Sequence, residues 1–288
     1  VLYYYANTGH KIGLERLRRG VALLKKLEQR GEEVMYLVND FRAGLIAKGL
    51  GLKDYVTVES VQDIDAVATG LDSIIIDSTE DDHGRLVKYC ADFRHVFRFA
   101  HSKEDCSIHG EKLFKAGCDS DECLEAMIID DRYYNTVEKE ERTLFFLGDA
   151  DYDKVILNNA SFFQNFEMEI LLGNYFFVKY EDALAKLFTI LHEPEEYRDL
   201  IEHSTTLVTA SAQAAVEARA NGTKVIFLNI MGEPLYSESL MSSYGIDIVD
   251  GFDSETLKFY LENEKKDAVQ EIKRYDDKKI LLKHSVIN

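Results

Sequence analysis

Positive charge, cysteine, proline and long apolar runs are all scarce in this 288-residue chain. Lysine and arginine number 34 against 52 aspartates and glutamates, which leaves a net charge of −18. That field repels an exposed phosphate backbone, so nucleic acid is not expected as a partner. A nucleotide remains open, because helix N-termini and backbone N–H groups hold phosphate without surplus basic side chains. No apolar run approaches the roughly 18–20 residues that cross a bilayer. The opening Val1-Leu2-Tyr3-Tyr4-Tyr5 is too short for a signal peptide. No membrane insertion is expected, and the location expected is cytoplasmic. The four cysteines lack framework spacing and suit a reducing compartment better than a disulfide scaffold. Pro194 and Pro234 are the only prolines, and no repeat or low-complexity segment occurs.

What is present describes a globular protein. Hydrophobic residues make up 46% and charged residues 30% of the chain, ordinary values for a packed fold. The length passes the size at which one core keeps growing, so two domains are expected, at 1–134 and 135–288. Residues 1–5 read as a strand, followed by a polar loop and a helix in which Leu17, Val21, Leu24 and Leu27 recur at helical spacing. Gly31 ends that helix, and 33–38 reads as the next strand. Further strands are expected at 55–58, 73–77 and 96–99, with helices at 43–49 and 83–91. Residues 102–124 are polar, hold Cys106, Cys118 and Cys123, and read as an inserted loop or short helical excursion. Ala126–Ile129 reads as the last strand of the first domain.

The second half repeats the alternation. Strands are expected at 143–147, 167–172, 175–178, 206–210 and 224–229. Helices are expected at 180–191, 193–204 and 213–221, with a Glu- and Lys-rich helix from Ser254 to about Lys283, either continuous or interrupted near Tyr275. Short apolar strands alternating with helices predict parallel sheets covered on both faces. The fold class is therefore α/β: two Rossmann-like, doubly wound parallel-sheet domains.

In open α/β sheets, ligands bind beyond the carboxyl ends of the strands. Thr209-Ala210-Ser211-Ala212-Gln213 leaves a strand in small residues and enters a helix, which lets backbone amides approach a pyrophosphate closely. Glu217, about one turn on, is placed to accept from ribose hydroxyls. The same segment also reads as ordinary capping by Thr209 and Ser211 with a solvated Glu217. Gly148-Asp149-Ala150-Asp151 is a second strand-to-loop turn, a ligand approach or a plain Asx turn. His10 lies between Gly9 and Gly13, ahead of Arg16, Arg18 and Arg19. It reads as a general base beside phosphate-holding arginines, or as an exposed loop histidine. Asp77 ends a strand and stands as a candidate for orienting substrate hydroxyls or acting as base. Cys106, His109, Cys118 and Cys123 are possible zinc ligands, but free thiols in a loop fit the loose spacing better. No metal and no cofactor are expected.

Ile12-Gly13-Leu14-Glu15-Arg16-Leu17-Arg18-Arg19, Ile75-Ile76-Asp77, Gly148-Asp149-Ala150-Asp151 and the Thr209 to Gly222 segment resemble, in order, the UDP-sugar hydrolases of the pseudaminic-acid pathway. Those enzymes are related to the GT-B glycosyltransferases. The resemblance implies a GT-B-like pair of domains facing across a cleft, with the C-terminal helix crossing back onto the first. It implies a small-molecule partner, a UDP-linked sugar, and a place in surface or flagellar glycan biosynthesis. Gly13, Arg19, Gly148, Asp151, Thr209, Ser211, Ala212 and Glu217 match positions that hold the nucleotide sugar, and His10, Arg16 and Asp77 are the catalytic candidates. The departure lies in the first motif, where Glu15 replaces a glycine and Arg16 replaces the family's catalytic histidine. An arginine, always cationic, takes no proton at neutral pH. The alternative is a homologue that binds or scaffolds without catalysis. The sugar's identity and the oligomeric state are not legible.

Overall fold

The computed structural model describes residues 1–280 apart from 119, 121, 178, 231–233, 265, 266, 269 and 279. The chain folds as two compact units. The first comprises Val1–Gly9, Arg16–Asp130 and the tail from Arg274, and the second comprises His10–Glu15 and Asp131–Lys273.

In the first unit the elements run β1 (Leu2–Ala6), α1 (Glu15–Gln29), β2 (Val34–Val38), α2 (Phe41–Gly49), β3 (Tyr55–Thr57), β4 (Ser73–Asp77), α3 (Arg85–Asp92), β5 (His95–Phe99), β6 (Lys112–Lys115) and β7 (Leu124–Glu125). The sheet order is β3-β2-β1-β4-β5-β6-β7, and every pairing is parallel. Because helices cover such a sheet on both sides, its central strand β4 is buried at all five residues. Tyr5, Leu37, Ile74, Ile76 and Tyr89 join one apolar cluster. On α1 the contact with the sheet is close enough to require a glycine. A Cβ added at Gly20 would stand 2.6 Å from the ring of Tyr4.

The second unit contains β8 (Glu140–Phe146), α4 (Val155–Asn158), α5 (Ala160–Phe163), β9 (Glu169–Leu171), α6 (Glu181–Leu184), β10 (Leu191–His192), α7 (Tyr197–His203), β11 (Ser204–Thr209), α8 (Ala212–Ala220), β12 (Lys224–Asn229), α9 (Glu238–Ser243), β13 (Asp247–Asp250) and α10 (Ser254–Glu262). Its sheet, β10-β9-β8-β11-β12-β13, is also wholly parallel. Phe145, Phe163, Ile170, Val208, Ile226 and Val249 form its core. The expected fold class is the observed one.

Several local expectations are corrected. Residues 102–124 are neither a plain loop nor a helical excursion, since they contribute β6 and begin β7, which extend the first sheet. Ala126–Ile129 is buried but not a strand. The helix expected over 180–191 shrinks to α6, and its far end becomes the edge strand β10. Residues 175–177 are not a strand, and Val178 lies outside the described residues. The expected tail helix is broken: α10 stops at Glu262, where Asn263 is extended and its side-chain amide donates to the Phe259 carbonyl at 2.6 Å, closing the last turn, and among the described residues helical ones return only at Lys278 and Ile280. Residues 281–283 of that expected helix lie outside the described residues. The tail packs with the first unit through Lys26 Nζ on the Tyr275 carbonyl at 2.8 Å and Arg30 on Asp277 at 2.8 Å.

Candidate functional site

In the first unit, the end of β4 delivers Asp77, which has no solvent exposure, into a cluster of charged and polar side chains. Its carboxylate accepts Arg19 Nε and Nη2, both at 2.6 Å, and the Tyr4 hydroxyl at 2.7 Å. Arg16 Nε stands 3.6 Å away, and Arg16 Nη2 reaches Thr79 at 3.4 Å. The Arg19 guanidinium also lies 3.8 Å over the ring of Phe99. Burial alone would push the Asp77 carboxyl up, but Arg19, its hydrogen bonds, Arg16 and Tyr4 together hold it below the usual carboxylate range. Burial pushes the Tyr4 hydroxyl well up, so it stays a donor. The structure thus brings Arg16, Arg19 and Asp77 together in one ion cluster.

The other candidates lie in the second unit. Gly148 has φ +139°, and the chain passes so close that a Cβ on Gly173 would meet the main chain of Gly148 and Asp149 at 2.6 Å. Asp151 accepts the N–H groups of Val155 at 2.6 Å and Ile156 at 3.3 Å, plus the Tyr180 hydroxyl, and so holds the first turn of α4. Thr209 is fully buried. Its hydroxyl donates to the Phe146 carbonyl at 2.7 Å and accepts the Ser211 N–H at 3.0 Å, closing the turn after β11.

Ser211 caps α8, its Oγ accepting the Ala214 N–H at 3.2 Å. Glu217 is 2% exposed rather than solvated. One of its oxygens accepts Gln213 Nε2 at 2.8 Å and the other the Tyr197 hydroxyl at 2.7 Å, while the Gln213 side-chain oxygen accepts Tyr236 at 2.6 Å.

The loop 10–15 approaches both turns of the second unit. A Cβ on Gly13, which has φ +78°, would lie 4.0 Å from that of Asp149. Glu15 Oε1 accepts the Ser211 hydroxyl at 2.8 Å and the Gln213 N–H at 3.0 Å. His10 is exposed, with its ring centroid 4.8 Å from that of Tyr175, and among the described residues no hydrogen bond fixes either ring nitrogen. Sequence reading treated Glu15 only as a lost glycine. Its partners are nearly two hundred residues away, and no local signal marks them.

A groove of about 470 Å³ in the first unit also escaped the sequence reading. It runs past the ends of β4 and β5 and is lined by residues that include Ser78, Glu80, Arg98, His101 and Asp105. His101 Nε2 lies 2.6 Å from the Ser78 carbonyl, which makes it the protonated nitrogen. Burial lowers the His101 pKa below its ordinary value, outweighing the opposing pull of Asp77. The cysteines depart from expectation as well: Cys118 and Cys123 form a disulfide, while Cys90 and Cys106 are free. A bonded pair offers no thiolates, and among the described residues no cluster of three or more His, Cys, Asp or Glu side chains is arranged to hold a metal ion.

No protein-family model and no curated protein matches the chain. Among solved structures, the UDP-GlcNAc 2-epimerase of Methanocaldococcus jannaschii is similar over 92% of this chain and 94% of that one, at 14% identity and a TM-score of 0.51. The E. coli heptosyltransferase WaaC with ADP-2-deoxy-2-fluoro heptose covers 91% and 98% at 11% identity and 0.49. MurG of Acinetobacter baumannii covers 91% and 90% at 13% identity and 0.44. The resemblance to the pseudaminic-acid hydrolases rests on the quoted motifs alone. What the chain shares with the epimerase is its fold, and it is a two-unit, parallel-sheet α/β protein of the GT-B-like kind.

Proposed function

We propose that this chain is a glycosyltransferase-like protein of nucleotide-sugar metabolism that binds a UDP-linked sugar without turning it over, in surface or flagellar glycan biosynthesis. The observation that carries the loss of turnover is the commitment of Asp77. A general base needs an accessible lone pair and a pKa near the working pH. Asp77 has no exposure, receives three hydrogen bonds and is held as a carboxylate by Arg19. Arg16, at the position of the family's histidine, stays cationic beside it. The ligand class is supported by two things: the likeness of fold to a UDP-GlcNAc 2-epimerase, and the small-residue turn from β11 into α8, whose donors already hold a carboxylate.

The test pairs equilibrium binding with turnover, both using UDP-N-acetylglucosamine. Binding is expected to saturate while UDP release stays at background. Release of UDP that is lost in Asp77→Asn or His10→Ala would instead establish a hydrolase. Absence of binding at millimolar ligand would remove the ligand class.

A further inference from the structure

The groove past the ends of β4 and β5 is large enough, at about 470 Å³, to take a small ring compound. Val61, Ile76, Leu86 and Tyr89 give it a buried apolar floor, and Ile108, which is 65% exposed, lines it as well. The segment that carries Ile108 is fixed in place. Glu111, itself buried, accepts the N–H groups of Ile108 at 3.2 Å and His109 at 2.9 Å, and Asp105 accepts that of His101 at 2.7 Å.

The polar part of the lining is short of positive charge. Among the described residues its charged members are Glu80, Asp82, Asp105 and a single cation, Arg98. That guanidinium already meets Asp105 at 3.4 Å, Glu111 at 3.3 Å and the Cys106 carbonyl at 3.1 Å. Arg16 reaches Thr79, but its charge is set against Asp77. Acceptors are in surplus. Tyr5 and Ser78 donate to one oxygen of Glu80, and the Gly84 N–H to one oxygen of Asp82, while among the described residues no hydrogen bond reaches the second oxygen of either. His101 donates its Nε2 proton to the Ser78 carbonyl and burial favours its neutral ring, so Nδ1 offers a lone pair. An anion is repelled by such a lining, and a neutral ligand leaves its charge unanswered. A cation with N–H donors on an apolar body complements both the charge and the floor.

We propose that this groove is a second binding site, for a protonated organic amine whose ammonium faces the Glu80 and Asp82 carboxylates and whose apolar body lies over Leu86 and against Ile108. It differs in chemistry from the nucleotide-sugar reading, which concerns an anion, and does not depend on it.

The experiment titrates cyclohexylamine, cyclohexanol and cyclohexanecarboxylate, probes of nearly one shape, into the full chain at neutral pH and follows binding by NMR. Cyclohexylamine is expected to saturate, cyclohexanol to bind at least about threefold more weakly, and cyclohexanecarboxylate not to bind. Asp82→Asn, which keeps an oxygen for the Gly84 N–H, and Glu80→Gln are each expected to weaken the amine about threefold and to leave cyclohexanol unchanged. Ile108→Ser, at an exposed position, is expected to weaken amine and alcohol alike. If Glu80→Gln proves unfolded, Asp82→Asn and Ile108→Ser decide. Absence of saturation by cyclohexylamine at millimolar concentration overturns the proposal, and so does binding of cyclohexanol or cyclohexanecarboxylate as tight as that of the amine. An amine affinity that the folded variants leave unchanged overturns it too, because the probe would then be held elsewhere on a chain of net charge −18.

Discussion

Arg19 grips Asp77 through two parallel hydrogen bonds of 2.6 Å, and neither side chain is more than 2% exposed. A fork of this kind at the carboxyl end of a central strand binds helix α1 to the sheet.

Breaking the pair from one side leaves a buried guanidinium without its counter-charge. Asp77→Ala is expected to cost about 3–5 kcal/mol of stability. Urea unfolding of parent and variant measures it, and a loss below about 1 kcal/mol would show that the pair is not a structural anchor.

The same pair sets an acid limb. Asp77 has a folded-state pKa below its ordinary 3.8, so its contribution is fully present above that value and is lost as pH falls through the folded pKa. Unfolding free energy measured from pH 5 to pH 2 is expected to fall more steeply for the parent than for Asp77→Asn. Parallel curves would contradict this.

His101 works at higher pH. Its folded pKa lies below the ordinary 6.5, so the unfolded chain takes up a proton first as pH drops, and stability declines from about 6.5 down to the folded pKa. Nitrogen-detected NMR is expected to show a neutral ring protonated on Nε2 at pH 7, matching its bond to the Ser78 carbonyl. A neutral ring protonated on Nδ1 would show that the carbonyl contact does not fix the tautomer, and a charged ring at pH 7 would contradict the lowered pKa.

Tyr197 donates to a Glu217 that solvent barely reaches. Tyr197→Phe removes one donor from a buried carboxylate and is expected to destabilise by about 1–3 kcal/mol without changing UDP binding. A loss of UDP affinity with unchanged stability would mean that Glu217 meets the ligand after all.

At Gly20, a methyl group would press into the Tyr4 ring at 2.6 Å. Gly20→Ala is expected to lower stability by about 1–3 kcal/mol through overpacking, despite alanine's better helix propensity. A melting temperature at or above the parent's would show that the ring gives way.

The alternation of strand and helix was legible because its signals are local. Ile74-Ile75-Ile76 has the length and composition of a buried strand, and Leu17, Val21, Leu24 and Leu27 share one helix face. The two strand-to-loop turns were legible for the same reason. What escaped depends on tertiary partners. β6 has four residues and β7 two, too short to show a period before the sheet pairs them. Arg19 carries a side chain usually found at the surface, and its burial is understandable only once Asp77 and Phe99 flank it. Glu217 read either as a ribose acceptor or as solvated, because its partners Tyr197 and Gln213 become visible only when α7 and α8 are placed.

The chain passes between its two units more than once, lending His10–Glu15 to the second and returning from Arg274 to the first. A single cut near residue 130 therefore does not release two whole pieces. The leading fragment would be left without the closing segment that Lys26 and Arg30 clasp, and the trailing one without the short stretch whose Glu15 accepts the Gln213 N–H. Each fragment made separately would be missing sequence that its counterpart carries, so complementation by mixing, rather than either fragment alone, is what should recover the native assembly.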